Sequence, residues 1–449
     1  MNFEHIKNIH FVGIGGIGMS GIAEILAERG VKVSGCDLKP SASTHLLATR
    51  GVPVLMGHSA AHLKGVDLVV VTSAVRGANA EVDAARVRHI PVMKRKEILG
   101  ALVNAQRSVG VSGTHGKTTT SAMIAVILEA AGLDPTIIIG GMLRNIGSNA
   151  RSGKGDLAVI EADEYDRSFH ELHPEIAVVT NIEADHLEYY GSFEAIAEAF
   201  RVFVEGIKPG GSVVGCVDDP AVAKLLTGID KKIIRYGLSA AADVRATNIT
   251  FDERGSRFEV PGTGWFRLFV PGEHNVRNAL AAIAVARQLE IPSPDIAAGL
   301  AKFLGVDRRF QILGQYGGAL IVDDYAHHPT EIRATLTAAR AGYPRRRIIA
   351  LFQPHLYSRT RDFAREFGEA LTVADVALVA PIYAAREKPI EGISSRLIAD
   401  AVEGVEFIDG DNAAITNLMR EFLKPNDVFV TLGAGDVNEI SEALVRGSV

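Results

Sequence analysis

Apolar residues fall in short runs bounded by polar turns, and those runs alternate with stretches of helical spacing. Ile9-His10-Phe11-Val12 is apolar enough for a buried strand, Ile17 to Leu26 repeats at helical intervals, and Val31 to Gly35 reads as a second strand. Leu68 to Val71 and Pro91 to Met93 continue the alternation, which predicts a parallel sheet wound by crossovers and ending near Ala105. A second cycle begins at Ser108 to Ser112, passes through a glycine turn into a helix from about Thr118 to Ala131, and adds buried strands at Leu157 to Ile160 and Ile176 to Thr180. From Ile233 to Val270 the pattern becomes alternating and turn-punctuated, predicting antiparallel strands appended to that sheet before a helix from Asn275 to Leu289. Beyond Gly305 to Phe310 a third cycle has strands at Leu320 to Val322, Ile348 to Phe352, Val376 to Val379 and Val428 to Leu432. The reading is three α/β domains, 1–105, 106–306 and 307–449, as many as 449 residues suggest at roughly 150 per domain.

Composition narrows the class. Hydrophobic residues make up 47% and charged residues 22%, which fits a globular protein and excludes a disordered or coiled-coil chain. No apolar run approaches the roughly 20 residues that span a bilayer, and the first residues lack a greasy signal segment, so membrane and secreted roles are not expected. Two cysteines, Cys36 and Cys216, make neither a disulfide framework nor a four-thiolate zinc site and suit a reducing cytoplasm. The net charge of −6 and the isolation of Lys94-Arg95-Lys96 and Arg345-Arg346-Arg347 argue against nucleic-acid binding.

Gly13-Ile14-Gly15-Gly16-Ile17-Gly18 lies after a strand and opens a helix. Its glycines permit a tight turn and close approach, and the helix N-terminus offers unpaired N–H groups to a diphosphate. Asp37, at the end of the second strand, is placed to accept hydrogen bonds from a ribose, while His58 and Ser73 follow later strand ends where open sheets collect ligand contacts. The turn by itself favours NAD or FAD, the commonest use of the pattern, over another diphosphate nucleotide or a tight turn with no ligand.

Gly113-Thr114-His115-Gly116-Lys117-Thr118-Thr119-Thr120 lies between a strand and a helix. Its N–H groups can cradle phosphate, Lys117 supplies a charge for the β/γ-phosphates, and the Thr118 hydroxyl can ligate Mg²⁺. Val111 stands where the full phosphate-loop motif has its first glycine. Glu161, in Glu161-Ala162-Asp163-Glu164-Tyr165-Asp166, and Asp185-His186 follow the next two strands and offer polar groups to the same sheet edge. Two phosphate-binding turns in one chain are the informative combination, since a dehydrogenase needs no phosphate loop and a simple ATPase needs no dinucleotide-type turn.

With these motifs go Thr180-Asn181-Ile182-Glu183, His274-Asn275-Val276-Arg277-Asn278, Arg308-Arg309-Phe310, Asp323 through Glu331, and Phe352-Gln353-Pro354-His355 through Arg359-Thr360. Together they resemble the Mur ligase family over essentially the whole chain. The resemblance implies a Rossmann-like first domain, a central phosphate-loop domain with appended antiparallel strands, and a Rossmann-like third domain. It implies an ATP- and Mg²⁺-dependent ligase of peptidoglycan-precursor synthesis that joins L-alanine to the carboxylate of UDP-N-acetylmuramate through an acyl phosphate. Gly15, Gly16, Gly18, Met19 and Ser20, with Asp37, His58 and Ser73, are then expected at the UDP-sugar. Gly113 through Thr119 with His274, Asn275, Asn278 and Arg309 are expected at ATP, and Thr118, Glu161 and His186 at Mg²⁺. Tyr325, His327, His355 and Arg359 fall to the amino acid, with Lys117, His186, His327 and Arg359 acting in the chemistry. Leu356 stands where many relatives carry a second arginine, and Tyr165 and Arg167 replace small residues common in the acidic loop. Competing expectations are a ligase that recycles a whole peptide onto the same sugar, an NAD-dependent oxidoreductase, and a nucleotide sensor without catalysis.

Overall fold

The computed structural model describes residues 6–447, apart from 73–74, 76–77 and 386, so the expected position Ser73 lies outside the described residues. The chain divides into two compact units: Met1–Ala246, Val260–Gly264 and Arg277–Phe303 form one, and Thr247–Glu259, Trp265–Val276 and Leu304–Val449 the other.

The first unit holds two sheets. Strands β1 (Asn8–Val12), β2 (Lys32–Asp37), β3 (Val54–Met56), β4 (Leu68–Val71) and β5 (Val92–Lys94) are all parallel in the order β3-β2-β1-β4-β5. Strand order reverses at β1, so the crevice beyond its carboxyl end, where the glycine turn lies, is the position at which such sheets take ligands. The helix Ile17–Glu28 follows that turn and buries Met19, Ile22, Ala23, Ile25 and Leu26.

The second sheet comprises β6 (Arg107–Ser112), β7 (Thr136–Leu143), β8 (Ser148–Arg151), β9 (Leu157–Glu161), β10 (Ile176–Val179), β11 (Ser212–Cys216), β12 (Lys232–Gly237) and β13 (Val244–Arg245). The order β13-β12-β11-β10-β6-β9-β7-β8 puts β6 between β9 and β10, with Val111 opposite Glu161 and Ser112 opposite Val179. Only the β7–β8 pair is antiparallel. Lys232–Gly237 therefore extends the parallel sheet, which corrects the expectation of antiparallel pairing from Ile233.

The antiparallel strands begin later and pair among themselves. β14 (Thr247–Asp252), β15 (Gly255–Val260) and β16 (Gly264–Leu268) form a separate three-stranded sheet rather than extending the central one. The β14–β15 turn belongs to the second unit, where Glu253 pairs with Arg346 at 3.2 Å and its carbonyl accepts from the Tyr343 hydroxyl at 3.4 Å.

In that second unit β17 (Gln311–Tyr316), β18 (Ala319–Asp324), β19 (Ile348–Phe352), β20 (Val376–Val379), β21 (Val405–Phe407) and β22 (Val428–Leu432) take the order β17-β18-β22-β19-β20-β21, with β17 antiparallel at one edge. Alternate residues of β19 and β22 point into two cores, Ile348, Ala350, Phe352 and Val430 on one face and Ile349, Leu351 and Phe429 on the other. Such two-sided burial is why these strands read as continuous apolar runs. Among the described residues no helix is long and apolar enough to cross a membrane.

Candidate active site

The glycine turn closes on the end of β2. Gly13 and Ile14 donate their N–H groups to the Cys36 carbonyl at 2.9 and 3.0 Å, and Gly15 donates to Asp37 Oδ2 at 2.8 Å. Asp37 Oδ1 accepts from the Leu38 N–H at 2.7 Å, so the carboxylate expected to meet a ribose already organises the turn. Gly13 has φ +81°, and a side chain there would lie 2.6 Å from the Thr72 methyl. Gly16 is the residue before the first helical turn, while Met19 and Ser20 are buried on the helix. Beside Gly18 lies Arg95, whose Nη1 is 2.7 Å from where a Cβ would stand and whose Nη2 is 3.5 Å from Asp163. A cation at a helix N-terminus is electrostatically disfavoured unless an anion joins it; Asp163 supplies one, and it is the position beside the glycine turn that makes Arg95 a phosphate-binding candidate. Arg95 belongs to a short basic cluster with no motif around it, so the sequence alone carries no signal for it. His58 Nδ1 is 3.0 Å from Glu81 Oε2 and 3.3 Å from Cys36 Sγ.

The phosphate loop is the most built part of the unit. Gly113 has φ +138°, and a Cβ would fall 1.9 Å from Thr180 Oγ1; Gly116 has φ +82° and would strike Asn278 Oδ1 at 2.7 Å. Both positions demand glycine. The end of β10 braces the loop from outside: Asn181 Oδ1 accepts from the His115 N–H at 2.8 Å, the Thr180 hydroxyl donates to the His115 carbonyl at 2.6 Å, and Thr114 Oγ1 accepts from the Glu183 N–H at 2.8 Å. Asn278 reaches the loop from the helix Glu273–Gln288, its Oδ1 accepting from the Thr120 hydroxyl at 3.2 Å. Asn275 on the same helix instead donates to the Pro271 carbonyl at 2.7 Å, and His274 packs against Gly272. These last two belong to the second unit and Asn278 to the first.

Lys117 opens the helix Lys117–Ala130 and donates to the Gly113 and Thr114 carbonyls at 2.5 and 3.0 Å and to Glu164 Oε1 at 2.8 Å. Burial alone would lower its pKa, but the carboxylates of Glu164, Asp163 and Glu161 outweigh that and raise it, so the ammonium stays charged. Burial pushes the Glu164 carboxyl up. Glu164 is one of several carboxylates in the acidic run Glu161–Asp166, and only the fold reveals it as the lysine's partner. Glu161 ends β9 beside the loop and accepts from the Gly140 N–H at 2.8 Å. His186 has φ +56° and lies edge-on to Tyr165, ring centroids 5.1 Å apart, so Tyr165 supports the imidazole. Arg167, also left-handed, lies over the Tyr190 ring.

In the second unit the ends of β18 and β19 gather a different set. The Tyr325 and His327 rings are 5.3 Å apart and the His327 and His355 rings 6.1 Å, while Tyr383 stacks on His355. Arg309 lies over Tyr325 and 3.7 Å from Glu331. Burial and the charge of Arg359 hold His327 neutral, with its pKa down at about 4 against the pull of Glu331. Its Nδ1 is 3.0 Å from the Tyr325 carbonyl, which selects the tautomer with a free lone pair on Nε2. Leu356 adopts φ +72° immediately before the helix Tyr357–Leu371 that carries Arg359, an uncommon conformation for a branched residue.

Three family models match in succession: "Mur ligase family, catalytic domain" over residues 8–107, "Mur ligase middle domain" over 111–286, and "Mur ligase, glutamate ligase domain" over 308–435. The chain belongs to the Mur ligase family. This Mur ligase is 45% identical to a UDP-N-acetylmuramate–L-alanine ligase of Geobacter sulfurreducens, covering 99% of this chain and 98% of that one. It is 44% identical to the protein of the same name from Salinibacter ruber, covering 98% and 95%. Among solved structures, the UDP-N-acetylmuramate-alanine ligase of Thermotoga maritima superposes with a TM-score of 0.84 at 30% identity over 99% of both chains. A murein peptide ligase from Psychrobacter arcticus reaches 0.72 at 26% identity over 98% of both.

Proposed function

We propose that this Mur ligase joins L-alanine to the carboxylate of UDP-N-acetylmuramate at the expense of ATP. The observation that carries the reading is end-to-end identity of 45% with relatives of that name, in a chain whose phosphate loop is braced by the flanking strand ends. Nearness to the alanine ligases disfavours the peptide-recycling alternative, and the lysine-bearing phosphate loop disfavours the oxidoreductase.

A carboxylate resists an amine because oxide is a poor leaving group. In the proposed reaction the sugar carboxylate attacks the γ-phosphate of ATP in line, releasing ADP and forming an acyl phosphate. The amine of alanine then attacks the acyl carbon and phosphate departs. We assign 1–105 to the UDP-sugar, 106–306 to ATP and 307–449 to the amino acid. The loop amides of 113–119 cradle phosphate and Lys117 neutralises the charge that spreads over the transferring group. His327, neutral and with Nε2 free to accept, takes the proton from the alanine ammonium, and Arg359 faces its carboxylate. The hydroxyl of Thr118 and the carboxylate of Glu161 are hard oxygen donors that suit Mg²⁺, with His186 the third group assigned to it. Bound Mg²⁺ supplies further neutralisation of phosphate oxygens. We assign the enzyme to the cytoplasm, a reading supported by its proposed substrates and by two free cysteines, which are stable in a reducing compartment.

The test is ADP release over a panel of UDP-muramyl substrates and amino acids. Turnover that requires UDP-N-acetylmuramate and is fastest with L-alanine supports the proposal; turnover only with a tripeptide, or none with any amine, overturns it. With heavy oxygen in the sugar carboxylate, label must appear in inorganic phosphate.

A further inference from the structure

Outside the site just described, four separate elements of the first sheet's domain bring metal-binding atoms together. His10 comes from β1, Cys36 from β2, His62 from the short turn Ala60–Leu63, and Glu81 from the first turn of the helix Ala80–Val87. One donor atom from each lies within 4.8 Å of every other. His10, Cys36 and Glu81 are fully buried, and the His62 side chain is 16% exposed.

The donors converge on the carboxylate. His62 Nδ1 is 2.6 Å from Glu81 Oε1 and the Cys36 thiol donates to Oε2 at 3.0 Å. His10 Nε2 stands 3.4 Å from Oε1 without hydrogen-bond geometry, a buried ring nitrogen with no partner aimed into the cluster. Its other nitrogen, Nδ1, is 2.9 Å from the Ser34 hydroxyl. If Nδ1 carries the proton, that contact leaves the Nε2 lone pair directed inward, the outer-shell arrangement that orients metal-bound imidazoles.

We propose that His10, Cys36, His62 and Glu81 form a tetrahedral site for Zn²⁺ or another thiophilic divalent cation. Two imidazoles, a thiolate and a carboxylate are all established zinc donors, and zinc accepts four of them at about 2.0–2.3 Å. Donor atoms up to 4.8 Å apart need to close by at most about 1.5 Å to reach the spacing those bond lengths set. Binding replaces the Cys36 S–H bond by a sulfur–metal bond, the proton leaving to solvent, and the thiolate and carboxylate together balance the 2+ charge. The site is one residue from the glycine turn's anchors, because the Cys36 carbonyl holds Gly13 and Ile14 and the Asp37 carboxylate holds Gly15. A metal there ties the turn to the segments that carry His62 and Glu81. This inference does not depend on which substrates the enzyme uses.

The test uses the full chain, stripped with chelator and titrated with Co²⁺ in excess Mg²⁺. One equivalent should produce the intense visible bands of tetrahedral cobalt and a near-ultraviolet sulfur-to-cobalt charge-transfer band, both displaced by one equivalent of Zn²⁺. Cys36→Ser should abolish the charge-transfer band, and His62→Gln, which keeps a polar group near Glu81, should weaken Zn²⁺ binding at least about tenfold. No tetrahedral cobalt spectrum, a charge-transfer band that survives Cys36→Ser and so belongs to Cys216, or unchanged affinity in His62→Gln would each overturn the proposal.

Discussion

Replacing Lys117 by alanine separates the lysine's two roles. Its ammonium satisfies Glu164 and two loop carbonyls, and the two side chains are only 14% and 5% exposed. Removing one partner of such a pair strands the other, at a typical cost of about 3–5 kcal/mol. Glu164 Oε2 already lacks a hydrogen bond, so the protein offers the stranded carboxylate little help. Glu164→Gln in the same chain removes the stranded charge and leaves only lost hydrogen bonds, about 1 kcal/mol each. Lys117→Ala should therefore lose about 3–5 kcal/mol locally, and Lys117→Ala/Glu164→Gln should recover about 2 kcal/mol of it. The chain's single tryptophan, Trp265, belongs to the other unit, so its fluorescence is blind to this change. Hydrogen exchange of amides in Lys117–Ala130 and β6 reads it directly. ADP formation should fall at least about 10²–10³-fold in both lysine variants, because the transferring phosphoryl group loses its cation either way. Recovery of turnover along with stability in the double variant would refute the reasoning, since the lysine would then matter only as Glu164's partner. Equal exchange in single and double variants would refute the coupling.

Gly113→Ala should weaken ATP binding at least about tenfold by calorimetry, since φ +138° and Thr180 Oγ1 both forbid the methyl; Thr180→Ala added to it should relieve only the clash. Arg95→Ala should raise KM for the UDP-sugar severalfold and leave KM for ATP unchanged; equal effects on both would refute its placement at the glycine turn. In the second unit, His327 has its pKa depressed to about 4, so its contribution to stability is present above pH 6.5 and is lost as pH falls toward 4, up to about 3 kcal/mol. Burial raises Asp324 to about 6, and its contribution has the opposite sign, stability falling by up to about 3 kcal/mol as pH rises from 3.8 to 6. The two nearly cancel. His327→Gln should uncover the Asp324 slope, so that Trp265-monitored stability declines from pH 4 to 6; a rise over that range would contradict the assignment.

The acidic loop and the glycine turn illustrate the limits of a motif. Asp37 was legible as a polar group at a strand end, yet the fold employs it to hold Gly15. Glu164 and Arg95 carried no signal of their own, because what makes each important is a partner 47 or 68 residues away. The cluster around Glu81 was equally invisible, its four donors being spread over four elements.

By itself the sequence determined the strand–turn–helix cycles, the position of both phosphate-binding turns and the family, because burial periodicity and short glycine-bearing turns are local properties of the chain. Tertiary structure alone decided that β6 lies between β9 and β10, so that Glu161 and Thr180 flank one loop. It also decided that strands after Thr247 close into their own sheet instead of lengthening another. Strand neighbours are chosen by how whole faces pack against helices far away in sequence, and local spacing contains no record of that choice.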